Sequence, residues 1–491
     1  MSSTSNLFDN YRRRFRLLLI GLAFVRLVMA LIIDPAPQEA YYWNYSRHPA
    51  LSYYDHPPLT AWLLRVSTLI FGDTAFALHL PAVVISLILT IVLFRFLSVL
   101  YDEKTAFWAV VLACSVLLFS IGSIITTPDT PLLLFWLLLI VCLYRAVREG
   151  GWGWWLSTGV VAGAAMISKY TAVFALAGAG LFLVVSRQRR KLIYSGGPLL
   201  AALTAFLVFL PVIIWNSRHG WASFLFQTGR RAAEYSGVRL DYFAGFLGVQ
   251  FVVGGLLILP FLVYAVFAAA LKPKDEKELL FVCFAVPMIV VFAAVSPFHY
   301  VKMNWLAPAY LSAVSLLAVR LPELRRRFFA VAFRISLALA IVFAILTHIL
   351  VALPIVGMGS ADLISGWDEL AAKVDLIRRE MADSGPLFIC GYDYKTASQL
   401  AFHLPDKPEV RANNIFGENG LAYNYWANPA DLVGMNCLLV IDSRSGYRNA
   451  RPAAAFFENI SSEERLTVKR SGKKITEFAI YRCYRYKGDL R

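Results

Sequence analysis

Long apolar stretches separated by short polar segments run through the first 350 residues of the chain. A transmembrane helix needs about 20 mostly apolar residues, and this pattern predicts eleven membrane spans. The first stretch is too long, and its flanks are too polar, for a cleaved signal peptide, so we expect it to remain as an anchor. The predicted spans cover residues 15–33, 78–100, 106–124, 131–147, 153–168, 171–186, 198–215, 243–271, 279–296, 305–320 and 329–353.

The pattern changes after about residue 360. Residues 363–383 have the periodicity of an amphipathic helix, and short apolar runs at 387–390, 437–441 and 478–481 then alternate with turn-rich segments. Such an alternation is typical of a small α/β domain. The sequence therefore predicts a polytopic α-helical membrane domain over residues 1–359 and a small α/β domain over residues 360–491.

One polar connection in the membrane region is unusually long. Residues 34–77 contain many aromatic residues and short apolar runs. Aromatic side chains collect at the boundary between membrane and water, and amphipathic segments can lie in that plane. We therefore predict interfacial helices in this connection.

Composition and charge agree with a membrane protein and indicate its orientation. Of the 491 residues, 58% are hydrophobic and 16% are charged, which excludes an ordinary soluble enzyme. With the N-terminus in the cytoplasm, one set of connections carries 19 Lys and Arg residues and the other set carries 8. Short basic connections stay in the cytoplasm, so the N-terminus is predicted inside and the C-terminal domain outside.

The net charge of +15 lies mainly in the membrane domain. Residues 1–359 hold 29 Lys and Arg against 15 Asp and Glu, whereas residues 360–491 hold 18 against 17. The basic excess therefore reflects topology and attraction to anionic lipid. It does not indicate nucleic-acid binding, because no basic face interleaved with stacking aromatic residues is found in the soluble part.

The cysteines fall into two groups. Cys390, Cys437 and Cys483 lie in the predicted outer domain, and an odd number allows at most one internal disulfide. The remaining cysteines lie in predicted spans, where they act as small hydrophobic residues.

The candidate chemistry lies in the connections predicted to face outward. Ionisable groups near the membrane are costly and are often functional. Carboxylates alone would suggest cation transport, whereas a mixture of signs suits a phosphate leaving group beside an acceptor that loses a proton. The carboxylates are Glu39, Asp55 and Asp129, and the cations and histidines are His56, Lys169, His219, Arg230 and Lys302.

Structural explanations exist for several of these residues. Tyr41 and its aromatic neighbours suit interfacial anchors, and Asp129 before a Thr-Pro step suits a helix N-cap. Arg230 would also suit binding to lipid headgroups. Each residue alone is a weak indication, and the functional hypothesis rests on their clustering on one side.

A set of short motifs resembles GT-C glycosyltransferases of the protein mannosyltransferase family, glycosyltransferase family 39. The similarity is to the bacterial branch related to the lipid A aminoarabinose transferase, and it covers about the first 310 residues in order, with a further segment in the tail. The motifs are Gln38 to Trp43, Tyr53 to Leu59, Leu80-Pro81, Thr127 to Pro131, Ser168 to Thr171, Trp215 to Arg231, His299 to Trp305 and, in the tail, Gly391 to Pro405.

The resemblance implies a GT-C fold in the bacterial inner membrane with an active site facing the periplasm. It implies a polyprenyl-phosphate-linked monosaccharide as donor and transfer with inversion. The acceptor would be an envelope component, with lipid A or another glycolipid favoured and protein also open. Membrane lipid would be a further partner.

The resemblance also suggests roles for individual residues. Glu39 matches the glutamate of a family Asp-Glu pair and is the first choice for the base, but Gln38 replaces the aspartate, so Asp34 and Asp129 stay open as bases. Asp55 matches a position that can hold a divalent metal ion, with His219 as a second ligand. The residues expected at the donor phosphate or substrate are Tyr41, His56, Lys169, Arg230 and Lys302.

Two other classes of protein fit parts of the sequence. A secondary transporter would have a similar number of helices, but its internal repeat is not visible, and the polar residues lie on one side. A non-catalytic lipid-binding protein with the same fold would tolerate Gln38. The clustered motifs favour the glycosyltransferase.

Overall fold

The computed structural model describes residues 5–230, 237–324, 326–353, 359–446 and 450–488, with residues 5–9, 230 and 451 described by their backbone alone. Helices make up the part of the chain before residue 354. The first ten are α1 (Ser5–Ile32), α2 (Pro37–Arg47), α3 (Leu59–Phe71), α4 (Ala75–Leu100), α5 (Glu103–Ser115), α6 (Leu117–Gly122), α7 (Asp129–Glu149), α8 (Trp152–Ser168), α9 (Val173–Val185) and α10 (Gly196–Arg218). They are followed by α11 (Ala222–Leu225), a π-helical turn (Phe226–Arg230), α12 (Leu240–Val253), α13 (Leu259–Leu271), α14 (Glu276–Val295), α15 (Ala307–Arg320) and α16 (Arg327–Ala352).

Six of these helices are long and apolar enough to cross a membrane: α1, α4, α7, α10, α14 and α16. This finding, made on the described residues, confirms a polytopic helical membrane protein. The other predicted spans coincide with shorter or broken helices, such as α8 with 17 residues and α15 with 14. The count of eleven spans therefore stays a prediction.

Two predicted spans are interrupted in the structure. The stretch 106–124 divides into α5 and α6 at Val116, whose backbone is extended with ψ 113°. The stretch 243–271 bends by 101° between α12 and the following helical segment. Gly255 lies at this bend with φ +93°, a left-handed conformation that glycine adopts without a steric penalty. Hydropathy does not register such breaks, because the residues on both sides remain apolar.

The long first connection forms α2 and α3, as the sequence predicts. Pro37 opens α2, where its missing N–H costs no hydrogen bond. The backbone N–H of Ala36 donates to the Glu39 carboxylate over 3.1 Å, which satisfies one of the free donors at this helix start. Almost every side chain of α2 is buried, so this helix is a central packing element.

The C-terminal region contains a six-stranded mixed sheet, which confirms the predicted small α/β unit. The strands are β1 (Leu387–Gly391), β2 (Val410–Arg411), β3 (Asn436–Asp442), β4 (Phe457–Ile460), β5 (Glu464–Arg470) and β6 (Lys473–Tyr486). The helices are α17 (Trp367–Glu380), α18 (Tyr394–His403) and α19 (Arg451–Ala454). Strands β1, β2 and β3 are parallel, while β6 pairs antiparallel with β3, β4 and β5, giving the order β2-β1-β3-β6-β4 with β5 on β6.

The three cysteines of this sheet are buried on the same face. Cys390, Cys437 and Cys483 belong to one apolar cluster with Phe388 and Leu439, because side chains alternate between faces along a strand. All of them are free thiols in the structure.

The sheet unit and the first connection share a hydrophobic core. Tyr41 and Trp43 of α2 belong to the same buried cluster as Leu400 and Phe402 of α18. The rings of Trp43 and Phe402 meet edge to face with centroids 5.2 Å apart. The C-terminal unit therefore packs directly on α2.

Candidate active site

Asp55 is buried in the connection between α2 and α3, with 6% of its surface exposed. The hydroxyl of Tyr41 donates to its Oδ1 over 2.9 Å, and the hydroxyl of Tyr45 makes a second hydrogen bond to the same oxygen. Both tyrosines project from one face of α2, because they are four residues apart. Two neutral donors thus hold one buried carboxylate.

The environment of Asp55 shifts its protonation. Burial raises the pKa of Asp55 above its ordinary value, because the charged form loses hydration. The hydrogen bonds from Tyr45 and Tyr41 act in the opposite direction, and so does the positive charge of Lys302. The result is a carboxylate that takes up a proton more readily than an exposed aspartate.

The turn around Asp55 is fixed on several sides. The backbone N–H of Tyr53 donates to the His56 carbonyl over 3.2 Å, and the Tyr53 hydroxyl donates to the Tyr45 carbonyl over 2.9 Å. Gln227, in the π-helical turn, donates to the Asp55 carbonyl over 2.9 Å. The carboxylate is therefore held in place by its own loop and by the segment after α10.

His56 lies beside the same carboxylate. Its Nε2 is 3.9 Å from Oδ2 of Asp55, and its ring meets Tyr42 edge to face at 5.6 Å. The side chain is partly exposed. An imidazole next to a carboxylate can supply a positive charge or a proton to a bound anion.

Asp129 and Lys169 form a second polar centre. Asp129 is the first residue of α7, and Lys169 lies in an extended break, with φ −158° and ψ 140°, between α8 and the short turn Tyr170–Ala172. The Lys169 ammonium donates to both oxygens of Asp129, over 2.7 and 2.8 Å. Asn304 donates to the same carboxylate over 2.5 Å. The ion pair is largely buried and joins three separate parts of the chain.

Tyr42 connects the two centres. Burial raises the pKa of Tyr42, and the negative charges of Asp55 and Asp129 raise it further. Both carboxylates are therefore close enough to act on one ring. The structure thus places the Asp55 and Asp129 carboxylates in one region of the protein.

Glu39 has a different environment. It is completely buried, and its Oε1 accepts from the backbone N–H of Thr126 over 2.7 Å. The same oxygen lies 2.9 Å from Nδ1 of His79 on α4, which is also completely buried. Glu39 thus joins α2 to α4 and to the loop that leads to Asp129.

His79 is a residue that the sequence analysis did not select. Its only sequence signal is an ionisable residue near the start of a largely apolar span, just before the Leu80-Pro81 motif. Asn304 lies within the motif His299 to Trp305, but the sequence analysis assigns it no role. Its contact with Asp129 joins segments 175 residues apart, and no local pattern indicates it.

The other candidate residues occupy the rim of this region. His219 follows the end of α10, and its ring stacks on Trp215 with centroids 4.1 Å apart. Lys302 is exposed in the segment between α14 and α15. Arg230 ends the π-helical turn, and its side chain lies outside the described residues, as does Arg231. Burial raises the pKa of Asp34, at the start of the first connection, and the negative charge of Asp368 in the C-terminal unit raises it further.

The predicted metal site is not defined by these side chains. Nδ1 of His219 lies 2.7 Å from the Trp215 carbonyl, and Oδ1 of Asp55 is occupied by tyrosine hydroxyls. Over the described ranges, no group of three His, Cys, Asp or Glu side chains has an arrangement that could hold a metal ion. Two donors are too few to identify a metal, so the divalent ion stays a prediction.

The C-terminal unit covers the site. The backbone N–H of Ala422 donates to the Tyr41 hydroxyl oxygen over 3.1 Å, and Asn44 of α2 donates to the Tyr423 hydroxyl over 2.7 Å. Arg47 pairs with Glu409 over 2.9 Å. The tyrosine that holds Asp55 is therefore itself held by the C-terminal unit.

Solved structures of ArnT share this fold. The apo structure of ArnT from Cupriavidus metallidurans matches with a TM-score of 0.65 at 14% identity, covering 96% of this chain and 98% of that one. ArnT bound to undecaprenyl phosphate matches with a TM-score of 0.62 at 14% identity, covering 94% of this chain and 97% of that one. At this identity the likeness establishes the GT-C fold.

Two matches at the level of sequence were also found. Residues 55–215 match the family model described as dolichyl-phosphate-mannose-protein mannosyltransferase. The lipid A galacturonosyltransferase RgtD of Rhizobium johnstonii is 24% identical over 314 residues, which are 62% of this chain and 66%, just under two thirds, of that protein. In fold and in sequence the chain is therefore similar to the GT-C glycosyltransferases of the ArnT branch.

Proposed function

We propose that this protein transfers a monosaccharide from a polyprenyl-phosphate donor to a lipid A-type glycolipid at the periplasmic face of the inner membrane. The acceptor class is supported by the relative named a lipid A galacturonosyltransferase. The donor class is supported by the likeness to ArnT bound to undecaprenyl phosphate. The orientation is supported by the unequal distribution of basic residues between the two sets of connections.

The observation that carries the proposal is the environment of Asp55. A general base works best when its pKa approaches the working pH, and burial raises the pKa of Asp55. The two tyrosine hydroxyls fix the orientation of the carboxylate through Oδ1. Its Oδ2 remains directed toward the side where His56 lies. We therefore assign the base to Asp55 rather than to Glu39, the first choice from sequence.

The proposed reaction is a single displacement. An acceptor oxygen forms a bond to the anomeric carbon while the bond from that carbon to the phosphate oxygen breaks. The electron pair leaves with the polyprenyl phosphate, and the acceptor proton passes to Asp55. Attack opposite the leaving group inverts the anomeric configuration.

The leaving phosphate needs positive charge as it departs. Lys302 is close enough to Asp55 for its positive charge to lower the pKa of that carboxylate, and the His56 imidazole lies beside the same group. Arg230 is retained as a further phosphate ligand on the sequence argument. Charge-assisted hydrogen bonds of this kind are stronger than neutral ones.

Lys169 and Asp129 serve a different purpose in this proposal. Their bidentate pair, with Asn304, neutralises the lysine before any substrate arrives. Removing one partner of a buried pair leaves an uncompensated charge. We propose that the pair fixes the ends of α7 and α8 around the donor site.

The test is a transfer assay with purified protein in lipid nanodiscs, using radiolabelled polyprenyl-phosphate galacturonic acid and lipid A. We expect acceptor-dependent transfer by the wild type. Asp55→Asn should lower kcat at least about 100-fold, the range of general-base catalysis. Its thermal midpoint should be unchanged or higher, because an amide avoids the cost of ionising a buried carboxylate.

Two further variants complete this experiment. Glu39→Gln should lower the thermal midpoint, because it breaks a completely buried pair with His79. Asp241→Asn, at an exposed aspartate outside the site, should match the wild type in both measurements. Full turnover by Asp55→Asn would refute the assigned base. Absence of acceptor-dependent transfer by the wild type would refute the proposed enzymatic activity.

A further inference from the structure

The segment 421–426 of the C-terminal unit touches the site with most of its residues. Ala422 donates to Tyr41, and Tyr423 accepts from Asn44. The Trp426 ring stacks on His48 with centroids 4.5 Å apart and meets Tyr45 edge to face at 5.6 Å. These residues attach the segment to α2.

Tyr425 is the member of the segment that faces away from this attachment. It is 42% exposed, whereas Ala422 and Tyr423 are buried. Its ring centroid lies 5.7 Å from Tyr54, 5.6 Å from Trp215 and 5.7 Å from His219.

Three distant parts of the chain therefore meet in one aromatic wall, formed by Tyr54, Trp215, His219 and Tyr425. Tyr54 precedes Asp55, Trp215 and His219 lie at the end of α10, and Tyr425 comes from the C-terminal unit. Rings that serve packing alone are normally buried. Here Tyr425 and His219 keep exposed surface, and Tyr54 is the residue that precedes the carboxylate assigned as the base.

An exposed aromatic wall with polar atoms at its edge suits a saccharide. The C–H face of a pyranose is apolar and can lie against an aromatic ring, while its hydroxyls need hydrogen-bonding groups around the rim. The Tyr425 hydroxyl and the second ring nitrogen of His219 are such groups. The wall thus combines both requirements.

We infer that this wall binds the saccharide of the acceptor, a pyranose of a lipid A-type headgroup, and that the C-terminal unit contributes Tyr425 to acceptor recognition. The inference rests on the proposed function. The donor is retained by its phosphate and polyprenyl chain, so its binding has other sources of affinity. The acceptor saccharide must be held beside Asp55, and Tyr54 joins the wall directly to that residue.

The experiment separates acceptor from donor binding through their KM values. Tyr425→Ala should raise the KM for lipid A about tenfold, in line with the loss of one aromatic contact at a binding site, and leave the KM for the donor unchanged. Tyr425→Phe, which keeps the ring, should stay within about threefold of the wild type. Tyr194→Ala, at a 91% exposed tyrosine between α9 and α10, is the matched control.

The outcomes distinguish this inference from the proposed function. If the wild type transfers sugar and Tyr425→Ala keeps the wild-type KM for lipid A, the inference is wrong while the function stands. If Tyr425→Ala instead raises the KM for the donor, the wall binds the donor sugar, and the inference is again wrong. Absence of transfer by the wild type would refute the proposed function itself. A thermal midpoint equal to the wild type excludes misfolding of Tyr425→Ala as the cause.

Discussion

The tyrosine hydroxyls on Asp55 stabilise its ionised form, since a donor favours an acceptor that carries negative charge. Burial has the opposite effect and is the larger cause, so the pKa of Asp55 is raised overall. The pKa of Asp55 therefore depends on two opposing effects, burial and the hydrogen bonds from the tyrosines. A small change in the number of donors should move the pH at which it becomes an active base.

This balance gives a prediction for Tyr45→Phe. Loss of one donor raises the pKa of Asp55 further, so the acid limb of kcat/KM should move to higher pH by about one unit, the value of one hydrogen bond to a charged group. The measurement is the pH profile of kcat/KM. Tyr53→Phe is the control, because the Tyr53 hydroxyl donates to the Tyr45 carbonyl and not to Asp55. A shift to lower pH, or an equal shift in Tyr53→Phe, would contradict the explanation.

At the scale of residues, sequence reasoning identified the polar groups but not their partners. Asp55, Asp129 and Lys169 were selected as candidates because ionisable residues near a membrane are costly. In the structure Lys169 pairs with Asp129, and the charges of Asp55 and Asp129 both act on Tyr42. Glu39 and Asp55 look equivalent in sequence. Their difference arises from His79 and Thr126 on one side and from Tyr41 and Tyr45 on the other. These partners depend on the packing of helices and cannot be read from spacing.

At the scale of elements, hydropathy predicted the positions of the helices. It was less successful for the breaks and bends within them. The break between α8 and α9 was predicted at residues 168–170, and Lys169 is extended there. The bend at Gly255 was not predicted, because an apolar run gives no sign of a change in direction. Close approach between helices is equally invisible to hydropathy, although small residues permit it.

The contact between α8 and α10 depends on two glycines. A Cβ at Gly163 would lie 2.5 Å from Cβ of Val208 and 2.8 Å from the Ala205 carbonyl oxygen. A Cβ at Gly159 would lie 2.5 Å from the Ala201 carbonyl oxygen. All three distances are shorter than a van der Waals contact, so the two backbones could not keep their present separation.

Gly163→Ala should therefore destabilise the protein by about 1–3 kcal/mol, the usual cost of overpacking. The measurement is the thermal midpoint in nanodiscs. Gly180→Ala is the matched control, because Gly180 lies in α9 and its Cβ would meet nothing within 4 Å. That variant should be neutral or slightly stabilising, since alanine favours a helix. Equal midpoints for the two variants would show that the α8–α10 contact is not close-packed.

At the scale of the whole molecule, the C-terminal unit and the first connection pack together around one candidate site. The sequence analysis predicted a small α/β unit, and the strands confirm it, but nothing in the sequence indicated that it covers α2. Contacts such as the hydrogen bond from Ala422 to Tyr41 join residues 381 positions apart. Such contacts are made by backbone groups and common side chains that belong to no recognisable sequence motif. The C-terminal unit is thus a part of the site that sequence reasoning did not connect to Asp55.

The orientation of the whole molecule decides which compartment this site faces, and cysteine labelling can measure it. Val433 is 55% exposed on the C-terminal unit, and Tyr194 is 91% exposed beside the basic run 187–191. Since basic connections stay in the cytoplasm, a membrane-impermeant maleimide added to intact spheroplasts should label Val433→Cys, whereas Tyr194→Cys should react only after lysis. The wild type is the background control, because Cys114 is partly buried and its other thiols are buried. The reverse labelling pattern would place Asp55 in the cytoplasm and contradict a periplasmic acceptor, whatever the transfer assay shows in nanodiscs.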